Sequence, residues 1–269
     1  MNKTYYWILS LGLALMVACQ PGQKEGDSEG QDEMMTDDTT MEEPAGPNTL
    51  TAAEKEDGWN LLFDGTSPEG WRGYQKETFP AAWEIDNEAL HIQGSGRGEA
   101  GAEDGGDIIY DEKFADFHFK VEWMVDTGAN SGIFYRGREM DEYDYIWKTA
   151  PEMQVLDNMN HPDAKKGSMG NRQAGSLYDM IPADPQNFKG PGVWNSAEVI
   201  AKGKDITHIQ NGDTVVQYTI GSAKMDSLIA ISKWPDLNPN WGDIAMEGYI
   251  GLQDHGDDVW YRNIKIRKL

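Results

Sequence analysis

The run Phe117-His118-Phe119-Lys120-Val121-Glu122-Trp123 alternates apolar and polar residues without a break. A period of two sends successive side chains to opposite faces of an extended chain, so this run is a half-buried strand and not a helix. Shorter runs of the same kind occur at Trp83-Glu84-Ile85, Ala89-Leu90-His91-Ile92, Ile133-Phe134-Tyr135-Arg136 and Met153-Gln154-Val155-Leu156. Others are Glu198-Val199-Ile200-Ala201, Val215-Val216-Gln217-Tyr218 and Ile264-Lys265-Ile266. Gly, Pro, Asn and Asp clusters separate them, and Gln210-Asn211-Gly212-Asp213 has the chemistry of a tight hairpin turn. No stretch keeps a helical period over three turns. With 10 Trp, 11 Tyr and 30 Gly in 269 residues, the pattern predicts an all-β sandwich or jelly roll spanning residues 57–269 as one domain.

The first 56 residues obey different rules. Lys3 precedes the apolar run from Trp7 to Ala18, which stops at Cys19. A cationic start, an apolar stretch too short to span a bilayer comfortably and a small residue before the break describe a secretory signal, residues 1–18. Leu15-Met16-Val17-Ala18-Cys19 resembles a bacterial lipobox, with Met16 where Leu is usual. That resemblance implies cleavage before Cys19 and a lipid anchor on it, placing the protein at the cell envelope, in the outer membrane, facing periplasm or surface. A secretory signal that merely contains a cysteine is the alternative. Residues 20–50 hold nine acids against Lys24 alone. They lack an apolar period, so residues 19–56 are expected to be a lipidated cysteine and a solvated, self-repelling tether.

Composition closes several other routes. Lys and Arg total 23 against 46 acids, a net charge of −23, which excludes the concentrated cationic surface a nucleic-acid partner needs. A single cysteine excludes a disulfide framework and CxxC chemistry. There is no P-loop, no GxGxxG after a strand, no GxSxG and no HExxH or EF-hand spacing. A divalent cation held by His with Asp or Glu stays open on composition alone.

Five histidines are candidates for proton transfer near neutral pH. His91 and His118 sit opposite the apolar residues of their strands, which reads as solvated sheet surface, and His208 before the Asn211-Gly212 turn reads as structural. His161 and His255 instead lie in polar loops beside Asp157-Asn158-Met159-Asn160 and Gln253-Asp254. Long loops on a rigid sheet are where chemistry usually sits. In Glu152-Met153-Gln154-Val155-Leu156-Asp157, alternation sends Met153 and Val155 to the core and Glu152 and Gln154 to the other, concave face, where an acid and an amide can grip sugar hydroxyls. Glu152 and Asp157 could form a two-carboxylate pair, but their odd spacing puts them on opposite faces of a straight strand. Arg136 supplies a fixed cation for a developing oxyanion, or merely neutralises an acid such as Glu152.

These residues belong to a longer pattern: Asn60-Leu61-Leu62-Phe63-Asp64-Gly65-Thr66, Gly70-Trp71, Gly105-Gly106-Asp107-Ile108 and Asp116 through Trp123. It continues through Asn130-Ser131-Gly132-Ile133-Phe134-Tyr135-Arg136, Glu152 through Asp157, Ala174-Gly175-Ser176-Leu177-Tyr178-Asp179 and Gly192-Val193-Trp194-Asn195. It closes with Leu252-Gln253-Asp254-His255-Gly256 and Val259 through Arg267. In this order over residues 58–269 the motifs resemble the 3-keto-disaccharide hydrolase family, also described as 3-keto-glucoside 1,2-lyase and 3-keto-2-hydroxy-glucal hydratase. The resemblance implies a concanavalin A-like jelly-roll sandwich, in modules that are often secreted or lipid-anchored.

It also implies cleavage of glycosides already oxidised to a ketone at C3. The carbonyl acidifies the C2 hydrogen; a base removes it, the enolate expels the C1 aglycone, and water adds to the enone for net hydrolysis. Such chemistry needs a base, an oxyanion stabiliser and a proton donor. The expected roles are His161 or His255 as base and acid, and Arg136 or a bound cation on the enolate. Glu152, Asp157, Gln154, Tyr178, Gln253, Asn130 and Ser131 are expected around the sugar. Two other readings stay open. A lectin-like binding module would use Trp71, Trp147, Trp194, Trp234 and Trp241 as platforms, although most of these suit core packing better. An ordinary glycosidase would need Glu152 and a second acid across a cleft.

Overall fold

The computed structural model describes residues 46–98 and 101–269. Thirteen strands follow in chain order: β1 (Asn60–Leu61), β2 (Trp71–Gly73), β3 (Trp83–Asp86), β4 (Ala89–Ile92), β5 (Ile108–Phe114), β6 (Phe117–Val125) and β7 (Asn130–Gly137). The rest are β8 (Glu152–Leu156), β9 (Asn195–Lys202), β10 (Asp205–Gln210), β11 (Asp213–Thr219), β12 (Gly248–Leu252) and β13 (Val259–Lys268). Every pairing is antiparallel. The larger sheet runs β11-β10-β9-β6-β13-β4-β3 with β1 on β13, and the smaller runs β2-β5-β12-β7-β8. Together they form the jelly-roll sandwich that alternation predicts.

Strand β6 shows why the register holds. Phe117, Phe119, Val121, Trp123 and Val125 are buried between the sheets, and the residues between them face outward. Each such burial contributes roughly 1.5–3 kcal/mol, and a slip of one residue would expose all five. The hairpin between β10 and β11 turns at Asn211 (φ 50°) and Gly212 (φ 89°), as its sequence predicts. Helices are few and short: α1 (Ala52–Glu56), α2 (Ala223–Ile231) and α3 (Trp234–Leu237).

The folded domain begins earlier than residue 57, which corrects the boundary expected for the tether. Asn48 is buried against β13, exchanging hydrogen bonds with Asn263 and donating to the Glu88 carbonyl at 2.7 Å. Thr51 and Glu54 form a capping box on α1, and Lys265 ties Glu54 to the sheet at 2.7 Å. The signal segment, Cys19 and the acidic stretch up to residue 45 lie outside the described residues.

Three of the five histidines are structural. His91 was expected on a solvated face but is buried. It lies between Glu84 (3.0 Å) and Asp258 (2.9 Å) and stacks on Trp260 at 4.3 Å. His118 is likewise packed, against Trp59 with Glu198 at 2.6 Å. His208 is fully buried between the Tyr135 hydroxyl and the Gly175 carbonyl, and burial pulls its pKa down to about 4.

Candidate active site

The smaller sheet has one face on the core and one face roofed by loops. Ser131, Ile133 and Tyr135 of β7 and Met153 and Val155 of β8 point inward, leaving Asn130, Gly132, Glu152 and Gln154 on the roofed face. Part of the roof is residues 138–150, whose Ile146 and Ala150 pack on Ile109, Phe134 and Tyr74. Arg72 of β2 clamps this roof through a two-pronged pair with Glu139 at 2.7 and 3.0 Å. Residues 175–178 extend the edge of the sheet, running along β8 by backbone bonds to Gln154 and Glu152.

At one end of this face, β7 begins while β8 and β12 finish, and their loops bring His161 and His255 together. The rings meet edge to face, with centroids 5.9 Å apart and planes at 82°. A nitrogen of each ring and a carboxylate oxygen of Asp257 lie within 4.8 Å of one another. Asp157 shapes the approach to His161. Fully buried, it accepts N–H groups from Gly128 (2.8 Å), Met159 (2.9 Å) and Asn160 (3.3 Å), and the Asn160 amide at 2.7 Å. Burial alone would raise its pKa, but these donors hold it below the ordinary value.

His161 has a defined proton position. Its Nδ1 caps the short 3-10 turn Pro162–Lys165, accepting the Asp163 backbone N–H at 3.1 Å. A neutral imidazole that accepts at Nδ1 carries its proton on Nε2. Burial, followed by the repulsion of a charge on His255, lowers the His161 pKa and favours the neutral ring. His255 is turned the other way, with Nδ1 3.5 Å from Asp257 Oδ2, and that oxygen is fixed by the Asn130 backbone N–H at 3.0 Å.

This proton arrangement bears on the divalent cation. The span of the His-His-Asp group suits an ion, but His161 offers it no lone pair. Nδ1 is committed to Asp163 and Nε2 carries hydrogen. The residues as arranged do not fit a divalent cation.

Around the pair the face is lined with oxygen and amide groups. Glu152 is buried, its carboxylate lying across β7 where Gly132 has no side chain. Gln154 and Gln253 are buried on the same face. Asn130 is buried too, and its Oδ1 has no hydrogen-bond partner among the described residues. Tyr178 donates to Asp163 at 2.7 Å and is flanked by the Lys233 ammonium, 4.5 Å from the ring centre. Burial and then the Glu152 charge push the Tyr178 pKa well up, so its hydroxyl stays protonated.

Two expected site residues lie elsewhere. Arg136, expected on an oxyanion or against Glu152, closes the opposite end of β7. Its positive φ of 56° interrupts the alternation. The guanidinium is fully buried and donates to the carbonyls of Gly203 (2.7 Å) and Ala115 (3.1 Å), with Asp116 at 3.6 Å. It ties two turns together. Ser131, expected at the sugar, faces the core, donating to the Gln253 carbonyl at 2.6 Å and accepting from Tyr261 at 2.7 Å. Asp157 shapes the loop, as its four donors show. Of the tryptophans, Trp71, Trp234 and Trp241 are buried. Trp194 lies under Arg262, and Trp147 is half-buried beside Tyr145. Asp257, Asp163 and Lys233 were missed by sequence reasoning. Asp257 and Asp163 had a signal, each standing two residues after a candidate histidine.

Comparison with known proteins agrees with this architecture. Residues 58–267 match the model of the 3-keto-alpha-glucoside-1,2-lyase-like domain. A Bacteroides thetaiotaomicron protein named 3-keto-disaccharide hydrolase is 41% identical over 294 aligned residues, covering 100% of both chains. A Parabacteroides distasonis crystal structure, considered a glycosyl hydrolase, superposes with a TM-score of 0.74 at 28% identity over 83% of this chain and 100% of its own. A second structure from that organism, at 24% identity, 78% and 99% coverage and a TM-score of 0.57, shares the fold. The chain therefore belongs to the 3-keto-alpha-glucoside-1,2-lyase-like domain family.

Proposed function

We propose that this protein cleaves the glycosidic bond of 3-keto-glycosides, 3-keto-disaccharides among them, by elimination at C2 followed by hydration. The observation that carries the reading is the His161–His255 pair, one ring turned to an N–H donor and the other to a carboxylate. In this reading His255, whose Nδ1 lies 3.5 Å from Asp257, is the base that removes the C2 proton. His161 donates Nε2–H to O3 as negative charge collects there, a role a neutral imidazole fills well.

The electrons balance through the sequence. The C2–H pair forms a C2=C3 bond with charge on O3. The C3 carbonyl then re-forms, C1=C2 closes and the C1–O bond breaks, with the proton on His255 passing to the leaving oxygen. Water adds to C1 of the enone and a proton returns to C2, giving 3-keto-glucose. Glu152, Gln154, Gln253, Asn130 and Tyr178 line the face where the sugar lies and offer acceptors and donors to its hydroxyls.

We also propose that export and a lipid on Cys19 place the domain at the cell envelope, a reading carried by the sequence of the first nineteen residues. Cys19→Ala should move the protein from the membrane to the soluble fraction.

The activity is tested with the domain from residue 46 onward, given a 3-keto-glucoside and the unoxidised parent, with and without chelator. Aglycone release from the keto substrate alone, unchanged by chelator, is expected. Release from the parent glycoside at a similar rate would replace this reading with ordinary glycosidase chemistry. Saturable binding without release would leave a lectin.

A further inference from the structure

On the β5 side of the roofed face, where Asp107 and Gln253 flank the pairing of Ile108 with Leu252, lies a cavity of about 360 Å³. Its wall includes Tyr74, Tyr145, Asp107, Asp144, Lys76 and the backbone at Gly105 and Gly106. Tyr145 is partly exposed and stacks on Trp147, centroids 5.4 Å apart and planes 17° from parallel. Lys148 lies 5.5 Å from the Tyr145 ring and 5.4 Å from the Trp147 ring. A backed aromatic ring at the edge of a polar cavity is a firm platform for a sugar face.

The cavity is mechanically joined to the catalytic pair. Asp107 is buried and its Oδ1 accepts the Asp254 backbone N–H at 3.1 Å. The Asp254 carboxylate in turn accepts the N–H groups of Ala102 (2.9 Å) and Gly106 (2.7 Å), so it holds the cavity wall one residue before His255. The volume falls at the low end of the range for small-molecule sites, enough for one ring and not for a long chain.

We propose that this cavity binds the leaving sugar of a 3-keto-disaccharide, and that it selects a neutral hexose. This rests on the keto-glycoside reading of the histidine pair. Asp144 accepts a hydrogen bond from a sugar hydroxyl, while Tyr145 covers the ring face. Lys76 keeps its charge while donating to the Gly105 carbonyl at 2.6 Å, but Asp104, Asp107 and Asp144 outnumber it in the wall. A uronic acid or sulfated sugar would bring like charge into this wall and be disfavoured.

The test compares kcat/KM for 3-keto-glucosyl-glucose with that for methyl 3-keto-glucoside, whose leaving group is methanol. Tyr145→Ala should lower the ratio of the two values about five- to tenfold, the range expected from losing one aromatic contact. Tyr145→Phe should restore the ratio, which separates lost stacking from a damaged fold. The wild-type enzyme should also prefer the glucose leaving group over glucuronate. An unchanged ratio in Tyr145→Ala, or equal use of glucose and glucuronate, would overturn the proposal. If wild-type protein cleaves neither substrate, the chemistry assigned to the histidines fails by itself. Calorimetric titration with the unoxidised disaccharide then decides the subsite. Binding weakened by Tyr145→Ala supports it, and binding that is absent or unaltered overturns it.

Discussion

His161 and His255 face each other edge to face, but their Nδ1 atoms see opposite partners: an N–H of Asp163 at 3.1 Å for the first, a carboxylate of Asp257 at 3.5 Å for the second. The same side chain is thereby set up for two tasks, one donating and one accepting. The difference is imposed by backbone and loop geometry, because a cap on a 3-10 turn holds one ring while an acid lies within ion-pair distance of the other.

That asymmetry predicts unequal substitutions. His161→Gln keeps an N–H donor and should retain partial turnover, with kcat down about tenfold. His255→Gln removes the base and should lower kcat on the order of a thousandfold, within the range general-base catalysis supplies. Steady-state rates on a 3-keto-glucoside check this, and equal losses would remove the division of labour.

Asp257 acts through His255, so Asp257→Asn should lower kcat on the order of a hundredfold while KM stays within about threefold. Removing a nearby anion disfavours the imidazolium, so the acid limb of the pH–rate profile should move to lower pH. A purely structural aspartate would change Tm and leave that limb in place.

Arg136 makes the contrary prediction. Arg136→Met removes the donor to two part-buried carbonyls and should cost about 1–3 kcal/mol, lowering Tm by roughly 2–12 °C. At temperatures where the variant is folded, kcat should stay within about twofold of wild type. A selective loss of kcat in a stable variant would return Arg136 to the active site.

His208 predicts an acid-side weakness. Its folded pKa of about 4 lies below the ordinary 6.5, so only the unfolded chain takes up its proton between these values. Stability is complete above about pH 6.5 and falls as pH drops toward 4, by at most roughly 3 kcal/mol from this group. His208→Gln should flatten that part of the urea-midpoint profile between pH 7 and pH 4.5.

Much of this was legible in the sequence because period-two burial is a local signal. The strands at Phe117–Trp123 and Met153–Leu156 were readable. Strand β12 (Gly248–Leu252) was not, since its two glycines erase the alternation. His161 and His255 were singled out by their loop surroundings. Arg136 was misplaced because a positive φ interrupts the strand exactly where the alternation rule was applied, and nothing in the sequence announces that kink. Ser131 was misplaced for a simpler reason: the inward face of β7 was readable from Ile133 and Tyr135, and Ser131 keeps their period. Lys233 became visible only in three dimensions, since 70 positions separate it from Asp163 while Tyr178 touches both.

The measurement that tests the central claim most directly is the isotope content of the product formed in D2O. If His255 removes the C2 proton and hydration returns one from solvent, the 3-keto-glucose released early in the reaction carries one deuterium at C2, at the rate the aglycone appears. Aglycone release with hydrogen retained at C2 would contradict elimination and leave direct hydrolysis at C1.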